Sequence, residues 1–405
     1  MKKDREQLIP DLRFPEFVKK EAWAEKAIND IALSQSSSIA LNKLLLKERG
    51  FPVYGADSIV GYIDKFQQKD IYISIVKDGS GVGRLNLCVK ESSVLGTLAY
   101  IKSKDAKEYN IVWIYYLLNT IEFTKYIKGA GIPHIYFTDF KEERIAVPTP
   151  DEQQKIASCL SSLDQLITAH KEKLELLKNH KKGLMQNLFP QEGETVPKLR
   201  FPEFENDGEW KPTTVEKNCV LKGRIGYRGY TKEDLVRKGE GAIVLGGKHI
   251  QNQLLYLADP TFLSWEKYYE SPEIMVEKNH IIFSQRGSLG DCAIIDREIG
   301  KATINPSMVL MKNFKCDERF LYYILIGEVI QREVARVSSL AAIPMLSQKQ
   351  IKEFPFLIPP PKEQKKIAIC LSFLDNLVSS QTDKIEKLQL HKKGLMQGLF
   401  PKVID

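Results

Sequence analysis

From Pro148 to Pro190 the chain reads PTPDEQQKIASCLSSLDQLITAHKEKLELLKNHKKGLMQNLFP, and from Pro359 to Pro401 it reads PPPKEQKKIAICLSFLDNLVSSQTDKIEKLQLHKKGLMQGLFP. The copies align without a gap, roughly 26 of about 43 positions being identical, and the period separating them is far too long for a stacked-repeat solenoid. A whole module has been duplicated. Each copy predicts one long helix, because Pro150, Asp151 and Glu152 form a helix start: proline is tolerated in the first turn, and carboxylates there face the positive dipole end. Apolar residues then recur every 3.5 residues on average. Ile156, Leu163, Leu177 and Leu184 fall on one heptad position, and Leu160, Ile167, Leu174 and Leu188 on the other. The second copy repeats the seam with Ile367, Leu374, Leu388 and Leu395, then Leu371, Val378, Ile385 and Leu399. Such spacing over several heptads is a coiled-coil signal, and near-identity of the seams argues that the two arms pair with each other. An unbroken arm would span roughly 58 Å.

Two seam positions in each arm are polar: His170 and Gln381 near the middle, Lys181 and Lys392 near the ends. Central polar residues can fix register at a cost in stability. If the arms run antiparallel, their midpoints meet and His170 is expected close to Gln381.

A second repeat flanks the first. PDLRFPEF from Pro10 matches PKLRFPEF from Pro197, with Trp23 answering Trp210. Each module therefore runs LRFPEF, a tryptophan, a body, and an arm ending in LFP, which predicts pseudo-twofold symmetry. The boundaries read as residues 1–147, 148–190, 191–358 and 359–405. At 405 residues, with 43% apolar residues, each body has enough material for a core. The net charge of +7 permits nucleic-acid binding without requiring it. The six cysteines show neither C-x-x-C pairs nor metal-ligand spacing, so free thiols in a reducing cytoplasm are expected. No apolar run is long enough to span a membrane.

The bodies differ where their flanks agree. Body one predicts strands at Ile59–Ile63, Ile71–Val76, Leu85–Val89 and Ser93–Ile101, a glycine-rich turn at Lys77–Gly83, and a helix near Asn110–Lys128. Body two predicts strands at Ala242–Leu245, Ile274–Val276, His280–Gln285, Ala293–Asp296 and Ser307–Lys312, then a helix near Glu318–Ala335. Both close on comparable tails, Gly131–Lys141 and Ala342–Lys352. One framework holding two different surfaces points to two readers of different targets.

Catalytic signatures are missing from the pattern. Gly79-Ser-Gly-Val-Gly83 lacks the spacing of a phosphate-cradling loop, and Gly241–His249 fails as a P-loop because His249 stands where a Ser or Thr would hold magnesium. There is no G-x-S-x-G and no H-E-x-x-H. Loops rich in cations, amides and aromatics fit nucleic-acid contact better. In body two the candidates are Arg224, Tyr227, Arg228, Lys248, Gln251, Asn252, Gln285, Arg286 and Ser288; in body one they are Lys65, Gln67, Gln68, Lys69, Lys77, Ser80 and Arg84. Cations position a protein through phosphates, while Gln, Asn and Arg can also read base edges.

With these motifs in view, the chain resembles a type I restriction–modification specificity subunit. The P-x-E-Q-x-K-I-A opening stands at Pro150, Glu152, Gln153, Lys155, Ile156 and Ala157, and again at Pro361, Glu363, Gln364, Lys366, Ile367 and Ala368. The L-D-x-L element (Leu163–Leu166, Leu374–Leu377) and the HKKGLMQ-x-LFP element (His180–Pro190, His391–Pro401) complete it; Gln285–Gly290 resembles a turn common in such recognition domains, and Lys77–Gly83 is a looser match. The resemblance implies an α/β (α+β) architecture of two target-recognition domains separated by two long antiparallel coiled-coil helices. It implies that each domain reads half of a split target in double-stranded DNA, and that the helices act as spacer. Two methyltransferase subunits would dock along the helices and methylate adenine N6 with S-adenosylmethionine; restriction subunits would complete the nuclease. The chain itself would carry no catalysis, cofactor or metal. Two rivals remain: a stand-alone coiled-coil DNA-binding regulator, and a fused nuclease–methyltransferase, which lacks any visible N-P-P-Y-type motif.

Overall fold

The computed structural model describes residues 8–339 and 344–401, apart from the Tyr227 side chain. The expected arms are helices Pro150–Leu188 and Pro361–Leu399. The chain divides into two compact units: Met1–Glu172 with Thr382–Asp405, and Lys173–Gln381. Each unit thus owns one body, part of the first arm and part of the second.

In the first unit, strands Ala32–Ser36, Leu98–Ser103, Tyr72–Val76 and Leu85–Cys88 form an antiparallel sheet in that spatial order. Side chains of a strand alternate between faces. Ile73 and Ile75 accordingly point into a core with Trp113, Ile114 and Leu117 of helix Ile111–Leu118, whereas Tyr72 and Val76 join Val53, Val94 and Leu98 on the other face. A smaller sheet orders Ile59–Ile63, Phe51–Tyr54 and Ser93–Val94. The arms enter the main core directly: Ile156, Ala157 and Leu160 share it with Leu399 and Phe400. The start of one arm therefore lies beside the end of the other.

The second unit follows the same plan at greater length. Strands Val220–Gly223, Met308–Lys312, Ile281–Ser284 and Cys292–Ile294 make an antiparallel sheet. Ile281, Phe283, Val309 and Met311 face a core with helix Glu318–Ile326 and with Leu188, Phe189, Ile367 and Leu371 of the arms. Ile282, Met308 and Leu310 face a separate cluster. A five-stranded sheet runs Leu235–Val236, Thr261–Ser264, Gly241–Leu245, Ala302–Ile304, Met275–Val276.

Several element boundaries differ from the sequence reading. The helix expected to reach Lys128 stops at Leu118, where Thr120 Oγ1 donates to the Leu117 carbonyl and Asn119 Nδ2 to that of Tyr115. A 3-10 turn, Phe123–Tyr126, follows. The helix expected over Glu318–Ala335 breaks at Gly327, giving Glu318–Ile326 and Glu328–Ser338; a Cβ at Gly327 would come within 2.9 Å of the Tyr323 carbonyl oxygen. Ser93–Ile101 is two strands in two sheets, parted at Leu95–Thr97, where Gly96 N–H donates to the Ile39 carbonyl. The glycine-rich Lys77–Gly83 closes the hairpin between Tyr72–Val76 and Leu85–Cys88, with Gly79 and Gly83 at positive φ. In the second tail, Ala342 and Ile343 lie outside the described residues.

The paired strands Ala24–Ala27 with Arg144–Val147, and Lys211–Thr214 with Pro355–Ile358, have no sequence signal of their own. They tie the entry of each body to its exit.

Candidate nucleic-acid interface and the joints that position it

The two repeated motifs are the halves of one joint. Arg13 of the first LRFPEF grips Glu152 of the first arm through two parallel bonds, Nε to Oε1 and Nη2 to Oε2, both 2.8 Å. Arg200 grips Glu363 in the same way at 2.8 and 2.7 Å. Both pairs are buried, and the planar fork matches a carboxylate bidentately; this bonding to the glutamate pushes each guanidinium above its ordinary value. Beside the fork, Lys155 pairs with Glu16 at 2.9 Å and Lys366 with Glu203 at 3.0 Å. Each lysine also lies over the phenylalanine of its motif, Phe14 or Phe201.

The neighbouring glutamines lock the body helix to the arm. Gln153 donates to the Pro148 carbonyl and accepts from the Asn110 backbone N–H; Gln364 donates to the Pro359 carbonyl and accepts from Asp317 N–H. Asn110 and Asp317 are the N-caps of the two body helices. A polar start is thus satisfied by the arm rather than by water.

The lysines that interrupt the seam are paired. In the first unit Asp164 accepts from Lys392 Nζ at 2.5 Å and from Tyr116 Oη at 2.7 Å. In the second, Asp375 accepts from Lys181 Nζ and, at 2.6 Å, from Tyr323 Oη. Each lysine also lies over the ring of that tyrosine. Burial, more than the neighbouring carboxylate, pushes both phenols above their ordinary value. The interval from Asp164 to Lys181 equals that from Asp375 to Lys392, so each unit pairs its arm segments antiparallel with the same stagger.

The seam residues are buried or half-buried in both units. Ile156, Leu160, Ile167 and Ile385 are buried and Leu163 and Leu388 half-buried in the first; Ile367, Leu371 and Leu374 are buried and Leu174, Leu177 and Val378 half-buried in the second.

The loop candidates divide into exposed groups and groups the fold uses. Gln68 is buried, its backbone bridged to Ser92. The Gln67 amide accepts from Val94 N–H at 3.3 Å and donates to Ser37 Oγ at 3.1 Å. Lys77 is half-buried on Asp78. Arg224 is buried: its fork donates to the Ile304 carbonyl and Thr303 Oγ1 and stacks on Tyr230, and burial pushes its guanidinium below its ordinary value. Arg228 pairs with Glu273 at 3.4 Å. Gln285 donates its amide to the Pro306 carbonyl. Gln68 and Arg224 are therefore interior residues; a polar residue in a loop has the same local sequence whether its partner is a backbone carbonyl or a base. The Tyr227 side chain lies outside the described residues.

Lys65, Lys69, Ser80 and Arg84 are exposed in body one, Arg84 paired with Asp57. In body two Lys248, Gln251, Asn252, Arg286 and Ser288 are exposed. Gln251 and Asn252 sit at the tip of hairpin Ile250–Gln251/Leu254–Leu255, whose Asn252 and Gln253 take positive φ, the requirement of a tight two-residue hairpin turn. The tip is latched by Gln253, which donates to Asp291 Oδ1 and accepts from Cys292 N–H. Gln285 N–H bonds the Ser307 carbonyl and its own carbonyl accepts from Leu346 N–H. Loops 251–253, 285–291 and 305–307 thus form one stitched surface, from which Asn252, Arg286 and Ser288 project. Lys248 is steadied nearby by the Asp259 carbonyl.

Among the described residues no group of three or more His, Cys, Asp or Glu side chains is placed to hold a metal, and no helix is long and apolar enough to cross a membrane.

The type I restriction modification DNA specificity domain model matches residues 20–179 and 224–390. The type I restriction enzyme MjaVIII specificity subunit of Methanocaldococcus jannaschii is 26% identical over 367 residues, covering 86% of this chain and 83% of the relative. The putative MjaX specificity subunit of the same organism is 24% identical, covering 94% and 93%. Among solved structures, the type I restriction–modification S subunit from M. genitalium superposes with a TM-score of 0.68 at 19% identity, covering 98% of this chain and 100% of that one. With the family model on both bodies and both arms, the chain belongs to the type I restriction–modification DNA specificity family.

Proposed function

We propose that each body reads one half of a bipartite target in double-stranded DNA. The paired arms serve as spacer and as docking ground for two adenine-N6 methyltransferase subunits, and the chain itself performs no chemistry. The observation that carries this reading is the contrast between joints and loops. Arg–Glu forks, glutamine locks and Lys–Asp–Tyr triads recur residue for residue in both units, while the loop surfaces they hold differ. Twin mounts for unlike readers suit a target of two unlike halves.

In each body the exposed cations would hold phosphates, and the amides and arginine would read base edges. In body one these are Lys65, Ser80 and Arg84; in body two, Lys248, Gln251, Asn252, Arg286 and Ser288. The relatives are named as specificity subunits of type I restriction enzymes, which supports a chain that works with partner subunits.

The test is a map of genomic N6-methyladenine in cells with and without this chain. A split motif should lose its methylation without it, and exchanging residues 10–147 for a relative's should alter one half-motif only. Alteration of both halves would refute the reading. A stand-alone regulator would instead bind its site at full affinity as the isolated chain.

A further inference from the structure

The turn of hairpin Ile250–Gln251/Leu254–Leu255 is built against local preference. Both of its residues lie in the left-handed region, Asn252 at φ 51° and Gln253 at φ 62°. Asparagine visits that region readily; glutamine does not, and the second position of such a turn ordinarily holds glycine. The ladder beneath is short, two residue pairs extended by Tyr256 N–H to the His249 carbonyl, and a two-stranded hairpin is marginally stable by itself. A backbone held in this way persists where its surroundings over-determine it, and such places cluster at binding sites.

Three bonds converge on Gln253. Its side chain donates to Asp291 Oδ1 at 3.2 Å and accepts from Cys292 N–H at 2.8 Å. Its backbone carbonyl accepts from Tyr322 Oη at 2.6 Å. Tyr322 is buried on helix Glu318–Ile326, and burial pushes its phenol well above its ordinary value, so the hydroxyl stays a donor at neutral pH. Core packing accounts for the ring; the hydroxyl is spent on the turn. The next residue, Tyr323, gives its hydroxyl to Asp375 of the second arm. Successive residues of a helix point about 100° apart, so one turn of this helix fastens the hairpin on one side and the arm on another.

We propose that Tyr322, acting through Gln253, is a positioning residue for base readout by body two: its hydroxyl holds the turn so that Asn252 is presented on one rigid surface with Arg286 and Ser288. The inference rests on the reading above, in which these loops meet DNA. The bond goes to the backbone of the turn and leaves the exposed Asn252 amide for a base edge. Gln253 in turn joins the hairpin to Asp291 and Cys292, at the end of the loop that carries Arg286 and Ser288. A latch at this place acts on one half of the target and on its bases, since phosphate contacts carry no sequence information.

The experiment is competition binding by the full chain in its assembled complex. The probes are duplexes that carry the split motif of the methylation map, with each base pair replaced in turn. Tyr322→Phe keeps the ring and removes the hydroxyl. Gln253→Gly suits the φ of the turn and removes both side-chain bonds, and it covers the case in which the loss of a buried hydroxyl disturbs the core. Each variant should lower discrimination by about fivefold or more, the low end of what a good base contact supplies. The loss should fall at one or two positions of the half-target that exchange of residues 10–147 leaves unaltered, with the other half and the salt dependence unchanged. If both variants discriminate like the wild type at every position, the positioning role is overturned while the functional reading stands. Equal losses in both halves, or weaker binding with a shallower salt dependence and intact discrimination, would make the bond one of folding or phosphate contact and overturn it also. A wild-type complex that prefers the mapped motif to none of the substituted duplexes would overturn the reading beneath it.

Discussion

Replacing Glu363 by Ala should unseat the second body from its arm. Arg200 and Glu363 have side-chain exposures of 6% and 1%, and they meet through two bonds of 2.8 and 2.7 Å. Removing one member of such a pair leaves the other charged and without water, which costs about 3–5 kcal/mol. For a unit of this size each kcal/mol lowers the melting temperature by about 2–4 °C, so a fall of roughly 6–20 °C is expected for Glu363→Ala. The exposed pair in the same joint, Lys366 with Glu203 at 3.0 Å, supplies the control: exposed ion pairs contribute about 0–1 kcal/mol, and Lys366→Ala should shift the melt by no more than about 4 °C. Differential scanning calorimetry on the full chain compares the two. If Glu363→Ala melted within about 2 °C of the wild type, or no lower than Lys366→Ala, the fork would not be what fastens the body.

Other perturbations separate folding from recognition. Leu371→Ala truncates a fully buried seam residue and should destabilise by about 2–5 kcal/mol in urea titration, while Leu374→Asp should abolish arm pairing and complex assembly. Arg224→Ala should lower stability because its fork holds the Ile304 carbonyl, whereas Arg286→Ala should leave the melt unchanged and relax discrimination at one base position by about 1–3 kcal/mol, read by competition binding in the assembled complex. Burial lowers the folded-state affinity of His249 and His280 for a proton. The unfolded chain therefore binds more protons below its ordinary histidine value of about 6.5, and stability should fall as pH drops from about 7.5 to 5.5. Urea midpoints for the wild type and for His249→Asn with His280→Asn measure this, and the double variant should show a flatter profile. Burial also pushes the Cys219 thiol up to about 12 and Cys292 well above its ordinary range; iodoacetamide at pH 8 should leave both unmodified until the chain is unfolded.

The arms and their mutual pairing were legible because heptad spacing is a local property that survives any tertiary context. Strand cores such as Tyr72–Val76 and Met308–Lys312 were legible for the same reason, as short apolar runs between turns. The ends of the body helices were not, since they depend on which side chain caps a carbonyl and on the break at Gly327. The joints were visible as repetition without a role: nothing in LRFPEF alone reveals that its arginine answers a glutamate far away in the chain. The polar seam lysines carried the opposite lesson. They read as flaws in an apolar stripe until Asp164, Asp375 and two tyrosines supplied their partners. Base-reading residues stayed the least legible, because a loop arginine such as Arg224 bonding a backbone carbonyl and one awaiting guanine share the same local sequence.

The interleaving of the units constrains how a nascent chain can acquire its structure. The second unit is one uninterrupted segment, Lys173–Gln381, whereas the first also needs residues after Gln381. On the ribosome, segments usually fold in the order of their emergence, but here the earlier body must wait: Trp113, Ile156 and Leu160 stay partly uncovered until Leu399 and Phe400 are delivered. A premature stop soon after Gln381 would leave that apolar face open although the later unit is already complete.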